Sequence, residues 1–134
     1  MNFNYYRTVR LEDTDAAGVV FFAKLLSICH EAYEESLLLA GIDLKKFFRD
    51  SNTAVPIVKA NISFFLPLFA GDKLLINLKP QLLKDSEFEI AYAIFLAQSD
   101  RESAAIANTK HVCIDPTARV RQDLPAALLN WLES

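Results

Sequence analysis

The spacing of apolar residues changes period near residue 53, and that change limits the chain to folds that set one long helix against an antiparallel sheet. Over residues 20–40, Phe22, Leu26, Cys29, Tyr33 and Leu37 recur at steps of three and four, while Lys24, Ser27, Glu31 and Glu35 mark a polar stripe. This is the repeat of an amphipathic helix. Leu25, Ile28, Ala32 and Leu39 widen the apolar sector, so protein must cover most of the circumference, and Gly41 supplies a stop. A short second helix is predicted over 43–50 with Asp43 as its N-cap, followed by an exposed connection over 51–53.

Beyond residue 53 the period is two. Val58, Ala60, Ile62 and Phe64 alternate with Lys59, Asn61 and Ser63, and Leu74, Ile76 and Leu78 alternate with Lys73, Asn77 and Lys79. Further strands are predicted over 88–97 and 104–114, and a first strand, rich in aromatic and β-branched residues, over 3–11. Ala91, Ala93, Ala97, Ala105 and Ala107 predict a face of small side chains on which the long helix lies. Gly71-Asp72 and Ser99-Asp100-Arg101 read as turns joining antiparallel strands. Pro80 cannot donate to a ladder, and predicts an edge, bulge or break at 79–81. A last helix is predicted over 124–132 with Pro125 in its first turn. The expected class is α+β: a long central helix wrapped by a curled antiparallel sheet of about five strands. Its open edges predict pairing with a second copy.

Composition narrows the function classes. A chain of 134 residues, 52% hydrophobic and 23% charged, has the length and apolar content of one globular domain, here expected to span 1–134. Its three glycines, Gly18, Gly41 and Gly71, stand far apart, which removes both glycine-rich phosphate loops. A formal charge of -3 with scattered basic residues argues against nucleic acid as a partner. The start lacks a basic n-region and an apolar h-region, and the densest apolar stretch, 16–28, is interrupted by Lys24, so neither export nor a membrane span is expected. Cys29 and Cys113 read as buried, reduced thiols of a cytoplasmic protein rather than a disulfide.

Glu12, Asp13 and Asp15 place three carboxylates in four residues directly before the long helix. Acidic residues are stabilised at helix N-termini by the macrodipole and free amides, which is a sufficient structural reason for them. A carboxylate beside unpaired backbone amides is also what acyl transfer requires: the amides bind a developing oxyanion while the carboxylate attacks or delivers water. Gly18, with Val19 and Val20, is expected to let backbone and substrate approach closely at the helix mouth.

The run Asp13-Thr14-Asp15-Ala16-Ala17-Gly18-Val19-Val20-Phe21-Phe22, continuing into Cys29-His30-Glu31-Ala32-Tyr33-Glu34, resembles the active-site segment of the hot dog-fold thioesterases of the 4-hydroxybenzoyl-CoA thioesterase family. Val55-Pro56-Ile57-Val58, Phe64-Phe65-Leu66-Pro67 and Gly71-Asp72-Lys73-Leu74 follow in that family's order, so the similarity covers about residues 3 to 115. Within the family, the helix segment and the ending His111-Val112-Cys113-Ile114 most resemble members acting on a bicyclic aryl-CoA. The resemblance implies the helix-in-sheet fold, assembly as homodimers and homotetramers, an acyl-CoA substrate and no cofactor. It implies Asp15 as nucleophile or general base, and the backbone amide of Phe22 as the donor to the thioester carbonyl. Aliphatic-preferring relatives carry a histidine where this chain has Phe22, which fits an aromatic acyl group better. The basic cluster some relatives use for the CoA phosphates is absent; Lys84 alone remains. Asp13 is the reserve candidate for the role of Asp15, and is otherwise expected to fix the loop or cap the helix. A thioesterase for another aromatic or short-chain acyl-CoA, and a non-catalytic acyl-binding module on the same fold, are the alternatives.

Other constellations carry less. Cys29, His30, His111 and Cys113 lack ordinary zinc-ligand spacing, and neighbours Cys29 and His30 point roughly 100° apart on a helix. Cys29 falls on the apolar face and reads as core; His30, beside the polar stripe, reads as structural. Phe47, Phe48, Phe64, Phe65 and Phe69 are expected in the core or an interface, with a few lining an aryl pocket.

Overall fold

The computed structural model describes residues 1–49 and 52–134, and the side chains of all of these except Asp100 and Arg101. In chain order the elements are β1 (Phe3–Thr8), a 3-10 turn (Leu11–Asp13), α1 (Phe22–Leu39), α2 (Leu44–Arg49), β2 (Ile57–Phe64), β3 (Lys73–Lys84), β4 (Glu87–Leu96), β5 (Ser99–Val112), β6 (Ile114–Asp115), β7 (Val120–Arg121) and α3 (Ala126–Glu133). Five strands form one antiparallel sheet in the order β1-β3-β4-β5-β2, with α1 against one face; β6 and β7 make a small separate hairpin. Among the described residues no helix is long and apolar enough to cross a membrane.

The core is the seam between α1 and the sheet. Leu25, Ile28, Cys29, Ala32, Tyr33 and Leu37 of α1 are buried together with Leu74, Ile76 and Leu78 of β3, Phe88, Ile90, Tyr92 and Ile94 of β4, and Ala105 and Ala107 of β5. Each fully buried Leu or Ile stabilises the fold by roughly 1.5–3 kcal/mol. The helix therefore rests on the large residues of β3 and β4, and only β5 supplies the expected small ones. Ala91 and Ala93 alternate with Ile90 and Tyr92 and so turn to the other face, which corrects their expected place under the helix.

Several boundaries differ from the sequence reading for local reasons. β1 stops at Thr8 because Asp13 folds back to accept the Arg10 amide at 2.8 Å and closes the 3-10 turn. The long helix begins at Phe22, two residues late, because the Val20 amide is held by the Leu68 carbonyl at 2.9 Å. The turn expected at Ser99-Asp100-Arg101 falls instead at Ala97–Gln98: Leu96 pairs with Ser99, and β5 starts five residues earlier than expected. β3 runs through Pro80, which pairs with Ile90; β1 ends opposite Leu78, so Pro80 lies where that side of β3 is an open edge. Asp43 caps α2, its carboxylate accepting the Lys46 amide at 3.2 Å, while the expected end of that helix at Asp50 and the start of the connection at Ser51 lie outside the described residues.

Polar groups inside the core are specifically bonded. Trp131 of α3 donates its indole N–H to Ser36 Oγ at 3.0 Å, and Ser36 donates to the Tyr33 carbonyl at 2.6 Å. Glu87, at the start of β4, is buried and paired with Arg121 and Lys110, which hold its carboxyl below the usual range. His111 is 0% exposed, stacks on Phe88 at 4.5 Å and bonds Thr109 Oγ1 at 2.9 Å. Burial, with His30 nearby, pushes its pKa down to about 4 from 6.5. Between those values the unfolded chain takes up a proton that the folded chain refuses, so stability falls as pH falls. We expect a loss of about 2 kcal/mol between pH 7 and pH 5 from this group. Denaturant titrations of wild type and His111→Phe check it: the variant should show a flatter pH slope, and equal slopes would contradict the assignment.

Candidate active site at the mouth of the long helix

The loop before α1 is held by Asp13. Its side chain is 0% exposed and paired with Arg7, accepts the Arg10 amide at 2.8 Å and lies 3.5 Å from Lys24 Nζ. Burial alone would raise its carboxyl pKa; the bonds from Arg7 and Arg10 outweigh that and hold it below the ordinary range. Its carbonyl accepts the Phe21 amide at 2.9 Å, so the same residue sets where the helix starts. Arg7 reaches on to Glu31 of α1 at 2.8 Å, tying β1, loop and helix together. Asp13 thus fixes the loop, as expected; its side chain does not cap α1.

Two residues on, Asp15 is exposed. Its Oδ1 accepts the Ala17 amide at 2.8 Å, and its main chain closes a tight loop with Gly18 and Val19. Gly18 has φ +84°, but an added Cβ would meet nothing within 4 Å. The left-handed backbone there favours glycine, and Gly18 does not line the cavity beside Asp15. Val19 and Val20 do.

The helix mouth lacks a cap. Phe21 occupies the N-cap position with extended backbone (φ -61°, ψ 135°) and offers no side-chain acceptor, where Ser, Thr, Asp or Asn is favoured. The Lys24 amide returns to the Phe21 carbonyl at 2.9 Å, whereas the Phe22 and Ala23 amides have no acceptor among the described residues. Those two donors and the positive end of the macrodipole are left for an external oxygen.

Asp15, Val19, Val20, Phe21 and Phe22 share a cavity of about 400 Å³ with Leu25 and with Phe64, Phe65, Leu66, Pro67 and Leu68, which follow the end of β2. This volume falls in the ordinary range of small-molecule pockets. Phe22 is 64% exposed, and Phe64 and Phe65, about half exposed, stand at the cavity and the β2 edge, the pocket-lining place expected of a few phenylalanines rather than the core. The 64–68 wall carries a sequence signal, a run of five apolar residues that breaks the alternation of β2. Phe69 is exposed away from the cavity, Phe47 packs against the core, and Phe48 lies near β2's other end.

Lys84 is not near this cavity. Phe64 is level with Ile76 across the sheet, and Lys84 lies eight residues further along β3, about 25 Å away in one chain. The four Cys and His residues also stay apart in role. Cys29 is a buried thiol pushed up to about 12, Cys113 is buried near Asp123, both are free, and His30 is bonded to Glu34 at the surface. Among the described residues no group of three or more His, Cys, Asp or Glu is placed to hold a metal ion.

A carboxylate beside an uncapped helix start at one apolar cavity, carried by a helix against an antiparallel sheet, defines a protein class. The chain belongs to the thioesterase-like superfamily, which matches residues 9–132. Among its relatives, a protein named 1,4-dihydroxy-2-naphthoyl-CoA hydrolase from Gloeothece citriformis is 61% identical over 96% of this chain and 90% of its own. One of the same name from Rippkaea orientalis is 56% identical over 98% and 95%. The crystal structure of a 1,4-dihydroxy-2-naphthoyl-CoA thioesterase from Synechocystis superposes with a TM-score of 0.94 at 38% identity, covering 98% of this chain and 96% of that one.

The loop geometry depends on the buried Arg7–Asp13 pair. Arg7→Leu should strand the Asp13 carboxylate and cost about 3–5 kcal/mol, read from urea unfolding midpoints, with Arg7→Lys falling between. A loss under about 1 kcal/mol would mean that the pair is not what holds the loop.

Proposed function

We propose that the chain hydrolyses 1,4-dihydroxy-2-naphthoyl-CoA to 1,4-dihydroxy-2-naphthoate and CoA, a step of phylloquinone (vitamin K1) synthesis carried out in the cytoplasm by a single-domain protein. The observation that carries this reading is the uncapped helix mouth: Asp15 and Phe22, whose amide is unbonded, border one aromatic-walled cavity, and the unbonded Ala23 amide follows in the same turn. The names of its closely similar relatives agree with it.

The thioester carbonyl oxygen accepts from the Phe22 amide, with Ala23 as a second donor. Negative charge gathers on that oxygen as the carbonyl carbon becomes tetrahedral, and the amides and helix dipole stabilise it more strongly than the ground-state carbonyl. Asp15 either adds to the carbon, giving a mixed anhydride that water then opens, or takes a proton from a water that adds. In both routes the C–S bond breaks, CoA leaves as a thiolate that is then protonated, and the acyl group gains one water oxygen. Water is the only co-reactant. Losing one well-placed donor of this kind typically costs about 3 kcal/mol, so the amides weigh nearly as much as the acid.

The working unit is a homodimer, with further assembly to a homotetramer. β2 is an unpaired edge whose Ile57, Val58 and Phe64 are exposed along with Phe65 beyond it, and such an edge is stabilised by pairing with another copy. Pairing β2 antiparallel to itself also brings the Lys84 end of a second copy's sheet toward the cavity, where Lys84 contacts CoA phosphate.

Thiol release from a panel of aryl- and alkyl-CoA thioesters tests the function. Wild type should cleave 1,4-dihydroxy-2-naphthoyl-CoA fastest, and Asp15→Asn should fold normally and lose about a hundredfold or more. Undiminished turnover by the variant would remove Asp15 from the mechanism, and no cleavage above buffer would favour a binding module instead.

A further inference from the structure

A second cavity, of about 370 Å³, lies far along α1 from Asp15, between that helix, α2 and the beginning of β2. Leu44 and Phe48 give it apolar walls, and His30 and Glu34, bonded at 2.9 Å, stand on its rim. Tyr33 and His111 also line it, with ring centroids 4.9 Å apart. Both residues are more than nine-tenths buried, yet among the described residues Tyr33 Oη and His111 Nδ1 have no hydrogen-bond partner. The other ring nitrogen of His111 is engaged by Thr109. A polar atom left buried and unbonded destabilises the fold, and phenylalanine at position 33 would fill nearly the same space without that cost. Two such atoms, on residues whose rings pack 4.9 Å apart at the wall of one cavity, point to a ligand group that both donates and accepts.

A phenolic hydroxyl is such a group. It can donate to the Nδ1 lone pair of a neutral imidazole and accept from the tyrosine hydroxyl. Burial keeps His111 neutral, and so keeps that lone pair available when its proton sits on the other nitrogen.

Reach decides which chain's cavity serves which active centre. Tyr33 lies eleven residues beyond Phe22 on α1, about 16 Å along the axis, farther than a fused two-ring acyl group extends from its own carbonyl. One chain cannot use both of its cavities on one substrate. β2 resolves this. Full antiparallel overlap of its eight-residue edge with a second copy places Phe64 of one chain opposite Ile57 of the other. Phe64 lines the Asp15 cavity and Ile57 lines the second one, so pairing sets the Asp15 cavity of each copy against the second cavity of the other. Resting on the thioesterase reading above, we propose that Tyr33 and His111 of one copy bind a ring hydroxyl of the aryl group whose thioester is cleaved at Asp15 of the other, making them specificity residues supplied in trans.

Binding to the full-length Asp15→Asn protein tests the subsite without turnover. Calorimetry should find 1,4-dihydroxy-2-naphthoate bound about tenfold or more tighter than 2-naphthoate, and adding Tyr33→Phe should erase most of that preference without lowering the thermal midpoint. An equal preference in the two proteins, or none in the first, overturns the subsite. Failure of thiol release, by contrast, counts against the thioesterase reading. Mixed dimers of Asp15→Asn and Tyr33→Phe chains, isolated by two tags, test the trans arrangement. If the site spans two chains, one site keeps both Asp15 and Tyr33, and the kcat/KM preference for the dihydroxylated over the unsubstituted naphthoyl-CoA matches wild type. A preference equal to that of the Tyr33→Phe homodimer overturns the trans arrangement.

Discussion

The buried charge pair between Arg7 and Asp13 is the contact from which the rest of the site is laid out. A carboxylate with no solvent contact is tolerable only when its charge and lone pairs are met, and Asp13 is met by a strand residue, a loop amide and a helix lysine. Because Arg7 also holds Glu31 on α1, the pair joins β1, the loop and the third turn of the helix in one network. The Asp13 carbonyl then takes the Phe21 amide and fixes where α1 begins. Asp15, two residues later in the same loop, inherits a defined place while remaining exposed.

That frame lets the helix begin without a cap. An apolar Phe21 at the N-cap forgoes about 1 kcal/mol that a serine or aspartate would supply, and leaves two amides without an acceptor among the described residues. Unsatisfied groups of this kind mark places where stability has been traded for binding or chemistry. The second cavity shows the same pattern in Tyr33 and His111. Both sets of unmet polar atoms lie beside β2, an edge of the five-stranded sheet with seven of its eight residues exposed. The proposed dimer closes that edge and brings the two half-pockets together.

Much of this was legible in the sequence. The change of period placed α1 and the strands, and the crowded carboxylates of 12–15 marked the loop, because both signals are local. Tertiary choices were not. Alternation shows that Ala91 and Ile90 face opposite ways but not which faces the helix, and the small side chains suggested the wrong one. The late start of α1 depends on Leu68, nearly fifty residues away, and the early start of β5 on pairing between Leu96 and Ser99. His111 looked like a member of a thin Cys/His set; its burial on Phe88 and its orphaned nitrogen follow from which face of β5 meets the helix. The apolar run 64–68 was visible, but its role as a cavity wall depends on where β2 ends relative to the helix mouth.

At the centre stands the idea that the free amides at the start of α1 polarise a thioester carbonyl before Asp15 acts on it. Isotope-edited infrared spectroscopy of carbonyl-labelled 1,4-dihydroxy-2-naphthoyl-CoA bound to Asp15→Asn reads that polarisation directly, with no turnover to obscure it. The carbonyl stretch should move to lower frequency than in water, because fixed amides and the helix dipole weaken the C=O bond more than mobile solvent does. A stretch at or above its frequency in water would contradict a catalytic role for the helix mouth.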